Sequence, residues 1–272
     1  MTGRPPTENH PAGEGHRDEH MRTFFAQVAH VLPADRRAGS RSVGKVAAMN
    51  RSMEEEAMKQ ATAITCLFLD IGGVLLTDGW THDGRKRAAA HFNLDLAEME
   101  DRHHLTFDTY EEGKLTLDEY LSRVIFYEAR PFTRARFRTF MFSQSEPHPE
   151  MIALVTQLKA RHGLKVAVVS NEGRELNAYR IHEFHLDKFV DFYISSCFVH
   201  IRKPDADIFR LALDIAQVPA HQVVYIENTP MFVEIAESLG IRSILHTDHE
   251  STRGQLAALG LESDDGLSHE TR

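Results

Sequence analysis

Residues 66–80 read CLFLDIGGVLLTDGW. An apolar run ends abruptly at Asp70, two glycines follow, and apolar residues resume at Val74. An apolar run with no polar alternation describes a strand buried on both faces, the pattern of a parallel sheet covered by helices. A carboxylate at the tip of such a strand stands at the carboxyl edge of the sheet, where open α/β folds bind their ligands.

Working outward, four more runs read as strands: 164–169, 192–196, 222–226 and 242–246, with the first extending over 64–69. A helical pattern precedes each of the four. In 149–163, Ile152, Val155 and Leu158 share a face, and Gly163 stands where a left-handed C-terminal cap belongs. Pro204 and Asp205 are expected to open the helix that follows Lys203. The alternation predicts an α/β fold, a doubly wound, mostly parallel Rossmann-like sheet. One interval breaks it. Between Asp78 and Pro147 only helical patterns occur, including a capping box from Thr116 to Glu119 and a helix stop at Gly113. This predicts a helical cap, inserted after the first strand and seated over the sheet edge. The expected division is an N-terminal tail at 1–60, a core at 61–78 and 148–260, a cap at 79–147 and a flexible C-terminal tail at 261–272.

The chain has 272 residues, 42% hydrophobic and 26% charged, with a formal net charge of −9. These values describe an ordinary globular protein and argue against a nucleic-acid partner, which would want a basic stripe. No apolar stretch reaches membrane-spanning length, so no membrane partner is expected. Cys66 and Cys197 are too few for a disulfide framework, and Cys66 reads as a small core residue. The first twenty residues lack the apolar segment of a secretory signal, so a cytoplasmic location is expected. His10, His16 and His20 are irregularly spaced and read as solvated tail rather than a metal tract. Met49 and Met53 precede the ordered part, and translation is expected to start in that region.

The residues after successive strands form a chemical inventory. Asp70, Gly72 and Gly73 follow the first, Ser170 and Asn171 the second; Lys203 lies beyond the third, and Glu227 and Asn228 follow the fourth. On one sheet edge these supply two carboxylates for a hard cation, and a lysine, a hydroxyl and backbone amides for an oxyanion.

The segments FLDIGGVL, VVSN, RKPD and YIENTP, in that order, resemble the four motifs of the haloacid dehalogenase-like (HAD) hydrolases. The resemblance runs from about Ile64 to Asp248. The cap stretch YEEGKLTLDEYL is similar to that of bacterial glucose-1-phosphate phosphatases, which carry a C1-type cap. The resemblance implies a Mg²⁺-dependent phosphatase acting on a small phosphorylated metabolite, with a sugar phosphate favoured. Asp70 would be the nucleophile that forms an aspartyl-phosphate, and Lys203 would offset the repulsion between carboxylate and phosphate. Ser170, Asn171 and the amides near Gly72 and Gly73 would hold the phosphoryl oxygens. Asp70, the Gly72 carbonyl, Glu227 and Asn228 would hold Mg²⁺.

Two positions depart from the family pattern. Gly72 stands where most of its phosphatases carry a second aspartate, the general acid. Glu227-Asn228 replaces paired aspartates. His82 and the pair His103-His104 are candidate donors in place of the missing acid. Arg134 and Arg138, in RPFTRARFR, are candidates for holding a second anionic group on the substrate. Phe107, Tyr110, Phe137 and Phe140 read as cap core. A metal-independent 2-haloacid dehalogenase and a non-catalytic phospho-ligand binding protein stay open as alternatives, and a homodimer is an assembly to be tested.

Overall fold

The computed structural model describes residues 63–263. The readings of the N-terminal tail, its histidines and the start methionines fall outside the described residues. Strand β1 is Cys66–Leu69. The inserted helices follow: α1 His82–Phe92, α2 Leu96–His104, α3 Phe107–Glu111, α4 Leu117–Val124 and α5 Arg134–Phe142. The chain then resumes alternation with α6 Pro149–His162, β2 Lys165–Ser170, α7 Arg174–Glu183, β3 Phe192–Ser195 and the short α8 Ser196–Val199. It ends with α9 Asp207–Ala216, β4 Val223–Glu227, α10 Pro230–Ser238, β5 Arg242–Leu245 and α11 His249–Ala258.

The five strands form one parallel sheet in the order β3-β2-β1-β4-β5. Leu69 pairs with Val168 on one side and Ile226 on the other, so β1 is central. Connections from β1 and from β4 lead in opposite directions across the sheet. The crevice between those two strands is therefore the topological switch point, where such sheets bind ligands.

Alternate residues of each strand serve opposite faces. Leu67, Leu69, Val166, Val168, Val224 and Ile226 pack with Leu154, Val155 and Leu158 of α6 and Leu256 of α11. Cys66, Phe68, Ala167, Val169, Val223 and Tyr225 pack with Phe209 and Ala212 of α9 and Ala236 of α10. Burial on both faces is why the strands read as continuous apolar runs. It also pushes the Cys66 thiol up to about 12, with Lys165 opposing, as an inert core residue requires.

Helix ends follow local chemistry. Gly163 takes the left-handed conformation at φ 65° after α6. Thr116 and Glu119 make both bonds of the capping box at α4. Helix α9 begins later than the sequence predicts: Ala206 is its N-cap. Asp205 lies just ahead of it and accepts the Asp207 N–H at 2.9 Å, so Pro204 and Asp205 shape the approach rather than the first turn.

The inserted helices bury their own core, including Phe92, Leu117, Tyr120, Leu121 and Phe137. The chain leaves and re-enters the sheet side by side: the Thr77 N–H donates to the Glu146 carbonyl at 2.8 Å and the His148 N–H to the Leu75 carbonyl at 2.9 Å. The C-terminal boundary differs from expectation. Leu261, assigned to the tail, is buried in the core, and its N–H reaches the Leu256 carbonyl at 3.0 Å. No described helix is long and apolar enough to cross a membrane.

Candidate active site

Asp70 leaves β1 with its N–H bonded to the Ile226 carbonyl at 3.0 Å, which fixes its backbone to β4. Lys203 reaches it from the loop before α9. The Lys203 ammonium donates to Asp70 Oδ1 at 2.9 Å and to Glu227 Oε2 at 2.6 Å, and lies 3.0 Å from the Tyr225 hydroxyl. Tyr225 donates to the same Glu227 oxygen. Lys203, Tyr225 and Glu227 are all buried. Burial alone would lower the Lys203 ammonium; Asp70 and Glu227 more than offset it and hold the group above its ordinary range. Burial pushes the Asp70 carboxyl up to about 7; Lys203 opposes this and Glu227 adds to it.

Lys203 is itself held by Asn171. The Asn171 side chain donates to the Lys203 carbonyl and accepts the Lys203 N–H, both at 2.8 Å. Asn171, whose backbone N–H is expected to serve a phosphoryl group, thus clamps the lysine backbone with its side chain. Ser170 is buried at the end of β2, its hydroxyl 3.4 Å from Glu172 Oε1. Glu172 is paired with Arg180 at 2.6 Å, and Arg180 Nε donates to the Ser145 hydroxyl at 3.0 Å.

The structure brings Asp70, Gly72, Ser170, Asn171 and Lys203 to the wall of one cavity of about 390 Å³. Glu227 stands behind this wall: Oε2 takes Lys203 and Tyr225, and Oε1 accepts the Thr229 N–H at 2.9 Å. Its geometry is that of a partner to Lys203, not of the metal ligand expected from sequence. Gly73, at φ 71°, sits against Asn228, whose side chain a Cβ at that position would strike. Asn228 Nδ2 lies 3.5 Å from Asp78 Oδ1, and a Cβ on Gly72 would stand 3.0 Å from that same oxygen. Asp78, which lines the cavity, therefore places a carboxylate beside the position that lacks one.

Sequence reasoning missed Tyr225 and Asp78. Tyr225 is hidden in an apolar strand pattern, though its position two residues before Glu227 put it on the same face. Asp78 is separated from Asp70 by a turn that carries no periodic signal.

The cap supplies the opposite wall. Trp80, Phe107, Tyr110 and His103 line it. Tyr110 belongs to the cap core with Phe137 and Phe140, as expected, and it also lines the cavity, as Phe107 does. His82 reaches the cavity but is largely exposed, 3.4 Å from Glu100. Arg134 donates to the Asp118 carbonyl at 3.0 Å and lies over Phe126, and Arg138 lies over Phe142. Neither arginine lines the cavity.

Helix α3 is pinned to the core. Arg202 pairs with Asp108 at 2.6 Å and Glu111 at 2.7 Å, and the Ser196 hydroxyl donates to the Glu111 carbonyl at 2.7 Å.

Residues 64–240 match the model of the haloacid dehalogenase-like hydrolases. A candidate pyrophosphatase of Caldanaerobacter subterraneus subsp. tengcongensis is 30% identical over 82 residues, which span 30% of this chain and 37% of that protein. A HAD-like family hydrolase of Porphyromonas gingivalis superposes with a TM-score of 0.61 at 19% identity, covering 74% of this chain and 99% of that one. A HAD family enzyme of Bacteroides thetaiotaomicron, in complex with magnesium and inorganic phosphate, superposes with a TM-score of 0.56 at 18% identity, covering 67% and 93%. These two similarities describe the fold. With the family model matched over more than half of the chain, this protein belongs to the haloacid dehalogenase-like hydrolases.

Proposed function

We propose that the protein is a phosphatase of small phosphorylated metabolites, with sugar phosphates favoured, acting through an aspartyl-phosphate on Asp70. The observation that carries this reading is the Lys203 ammonium 2.9 Å from Asp70 Oδ1, in a cavity wall that also holds Ser170, Asn171 and Gly72. A carboxylate that attacks a phosphate dianion needs nearby positive charge, and Lys203 supplies it while Glu227 and Tyr225 hold the lysine in place. Ser170 Oγ and the Asn171 N–H are the donors for the phosphoryl oxygens. Asp70 Oδ forms the bond to phosphorus as the ester P–O bond breaks, and the leaving oxygen takes the electron pair and then a proton from solvent water. The hydroxide left in the solvent takes a proton from a second water as that water's oxygen attacks the same phosphorus, and the P–O bond to Asp70 breaks, releasing hydrogen phosphate and restoring the Asp70 carboxylate.

The donor chemistry fits Mg²⁺, which takes oxygen ligands. Asp70, the Gly72 carbonyl and Asn228 would hold it, with Asp78 restoring the charge that Asn228 lacks. Glu227 would act on this site only through Lys203. When bound, the ion would neutralise charge shared by the carboxylate and the phosphoryl oxygens. The absence of an acid at Gly72 favours leaving groups that need little protonation, such as an anomeric or acyl oxygen. The bound magnesium and phosphate of the Bacteroides fold neighbour support the same reading.

The test is phosphate release from a panel of sugar phosphates and acyl phosphates, with Mg²⁺ and with EDTA. Release with Mg²⁺ that EDTA abolishes is the expected outcome. Halide release from 2-haloacids that EDTA does not affect would replace the reading with a dehalogenase, and saturable binding without turnover would replace it with a binding protein.

A further inference from the structure

We propose that His103 and Tyr110 select the leaving group: they form a hydrogen-bonding wall for an uncharged, hydroxyl-bearing group, and the cap offers no counter-charge to a second anion. This rests on the phosphatase reading above and concerns the opposite wall of the same cavity.

The tautomer of His103 follows from its neighbours. Trp80 Nε1 is only a donor, and it lies 2.9 Å from the Tyr120 hydroxyl. Tyr120 is fully buried, so its own proton needs a protein acceptor. His103 Nδ1, at 2.7 Å, is that acceptor. The ring proton of His103 therefore sits on Nε2, for which the described residues provide no partner. Phe107 stacks on the ring, with centroids 4.9 Å apart, and keeps it against the cavity. Burial and the nearby Arg85 charge push this imidazole down to about 3, with Glu100 opposing, so it remains a neutral donor.

Tyr110 adds an unmet demand. Its side chain is 4% exposed, lines the cavity, and carries a hydroxyl with no hydrogen-bond partner. The ring is wedged between Tyr120, stacked at 4.7 Å, and Gly173, where any Cβ would overlap it. A buried hydroxyl with no partner carries an unmet demand, and a ligand hydroxyl in the cavity that Tyr110 lines would meet it.

Charges around the cavity are already matched. Arg85 is bidentate on Glu100 at 2.8 and 2.9 Å and donates to the Trp80 carbonyl at 2.7 Å. Arg180 is paired with Glu172, and Glu111 with Arg202. A second phosphate or carboxylate entering the cap would lose its water without meeting an unpaired arginine or lysine among the described cap residues that line the cavity, and burial of an uncompensated charge is strongly unfavourable.

The experiment measures kcat and KM for phenyl phosphate, glucose 1-phosphate and glucose 1,6-bisphosphate, in the wild type and in Tyr110→Phe, His103→Ala and His103→Gln. The wild type is expected to prefer the monophosphate over the bisphosphate. In Tyr110→Phe and His103→Ala the ratio of KM values, glucose 1-phosphate over phenyl phosphate, is expected to rise by about 5- to 10-fold, the worth of one hydrogen bond. His103→Gln, which keeps a neutral donor, should recover part of it. Tyr110→Phe removes a hydroxyl that bonds nothing in the protein, so its thermal midpoint should not fall. An unmoved KM ratio in Tyr110→Phe and His103→Ala, with phenyl phosphate turned over, overturns this inference alone, and so does a wild-type preference for the bisphosphate. Inactivity of the wild type on all three esters overturns this inference, and inactivity on the whole panel of sugar and acyl phosphates overturns the phosphatase reading as well.

Discussion

The two walls of the cavity satisfy their polar groups by different means. On the sheet side, Lys203 touches Asp70, Glu227 and Tyr225, and Asn171 closes on its backbone. On the cap side, the Tyr110 hydroxyl has no partner among the described residues, and His103 meets Tyr120 through Nδ1 alone. A preorganised charge cluster does not rearrange as the reaction proceeds, which is what chemistry at phosphorus demands. A wall with unspent donors discriminates among substrates, because a wrong group leaves them unpaired. The comparison assigns rate to the core and selectivity to the cap, and variants on each side test that division.

The largest effect is expected at Asp70. Asp70→Asn should lower kcat for phosphate release by at least about 10³-fold, the scale of losing a nucleophile, while circular dichroism shows an unchanged fold. Activity within tenfold of wild type would remove Asp70 from the chemistry.

Lys203→Met should lose most activity as well and, unlike the Asp70 variant, should lose stability. It strands two buried carboxylates, which costs about 3–5 kcal/mol at neutral pH. Without the ammonium, the Asp70 carboxyl loses the charge that opposes its upward shift and stays protonated further above its unfolded value. The native state then holds protons that the unfolded state has released, so stability falls as pH rises between about 5 and 8. The variant's thermal midpoint should therefore drop more steeply over that range than the wild type's. Parallel curves would mean that Lys203 does not compensate these carboxylates.

The same division governs what the sequence discloses. All five strands are legible because burial on both faces leaves uninterrupted apolar runs, and Asp70, Ser170, Lys203 and Glu227 are legible because each punctuates or follows one. Tyr225 is not, since a strand tyrosine facing inward looks like any apolar residue until its hydroxyl meets Glu227. The part Glu227 plays was legible only as charge: which oxygen serves Lys203 depends on where the loop before α9 turns. The cap wall is the least legible part. Tyr110 belongs to a short helix whose orientation is set by Arg202, Ser196 and the bare backbone of Gly173, contacts between segments far apart in the chain that no periodicity records.

That seam can be broken with one methyl group. Gly113 has φ +68°, and a Cβ there would run into the Cys197 carbonyl; Gly163 has φ +65° with nothing within 4 Å. Gly163→Ala therefore measures backbone strain alone, about 1 kcal/mol, whereas Gly113→Ala adds a collision between cap and core and should cost about 2–3 kcal/mol. Chemical denaturation of the pair reads the difference. Equal losses would mean that the seam yields without resistance.

The smallest effect is a slope. His103 is held neutral in the folded protein, pushed down to about 3 chiefly by burial, whereas the unfolded chain protonates it near 6.5. Between those values the unfolded state binds the extra proton, so the stability conferred by this site is complete above about pH 6.5 and is lost as pH falls toward 3. The slope cannot exceed about 1.4 kcal/mol per pH unit for one proton. His103→Gln cannot take up that proton in either state, so its stability between about pH 7 and 5 should fall less than that of the wild type, by about 2 kcal/mol. Urea denaturation of both proteins at those two pH values gives the comparison directly. Equal losses in the two proteins would mean that His103 is protonated when folded, and a charged imidazole on the cap wall would welcome the second anion that a neutral one leaves uncompensated.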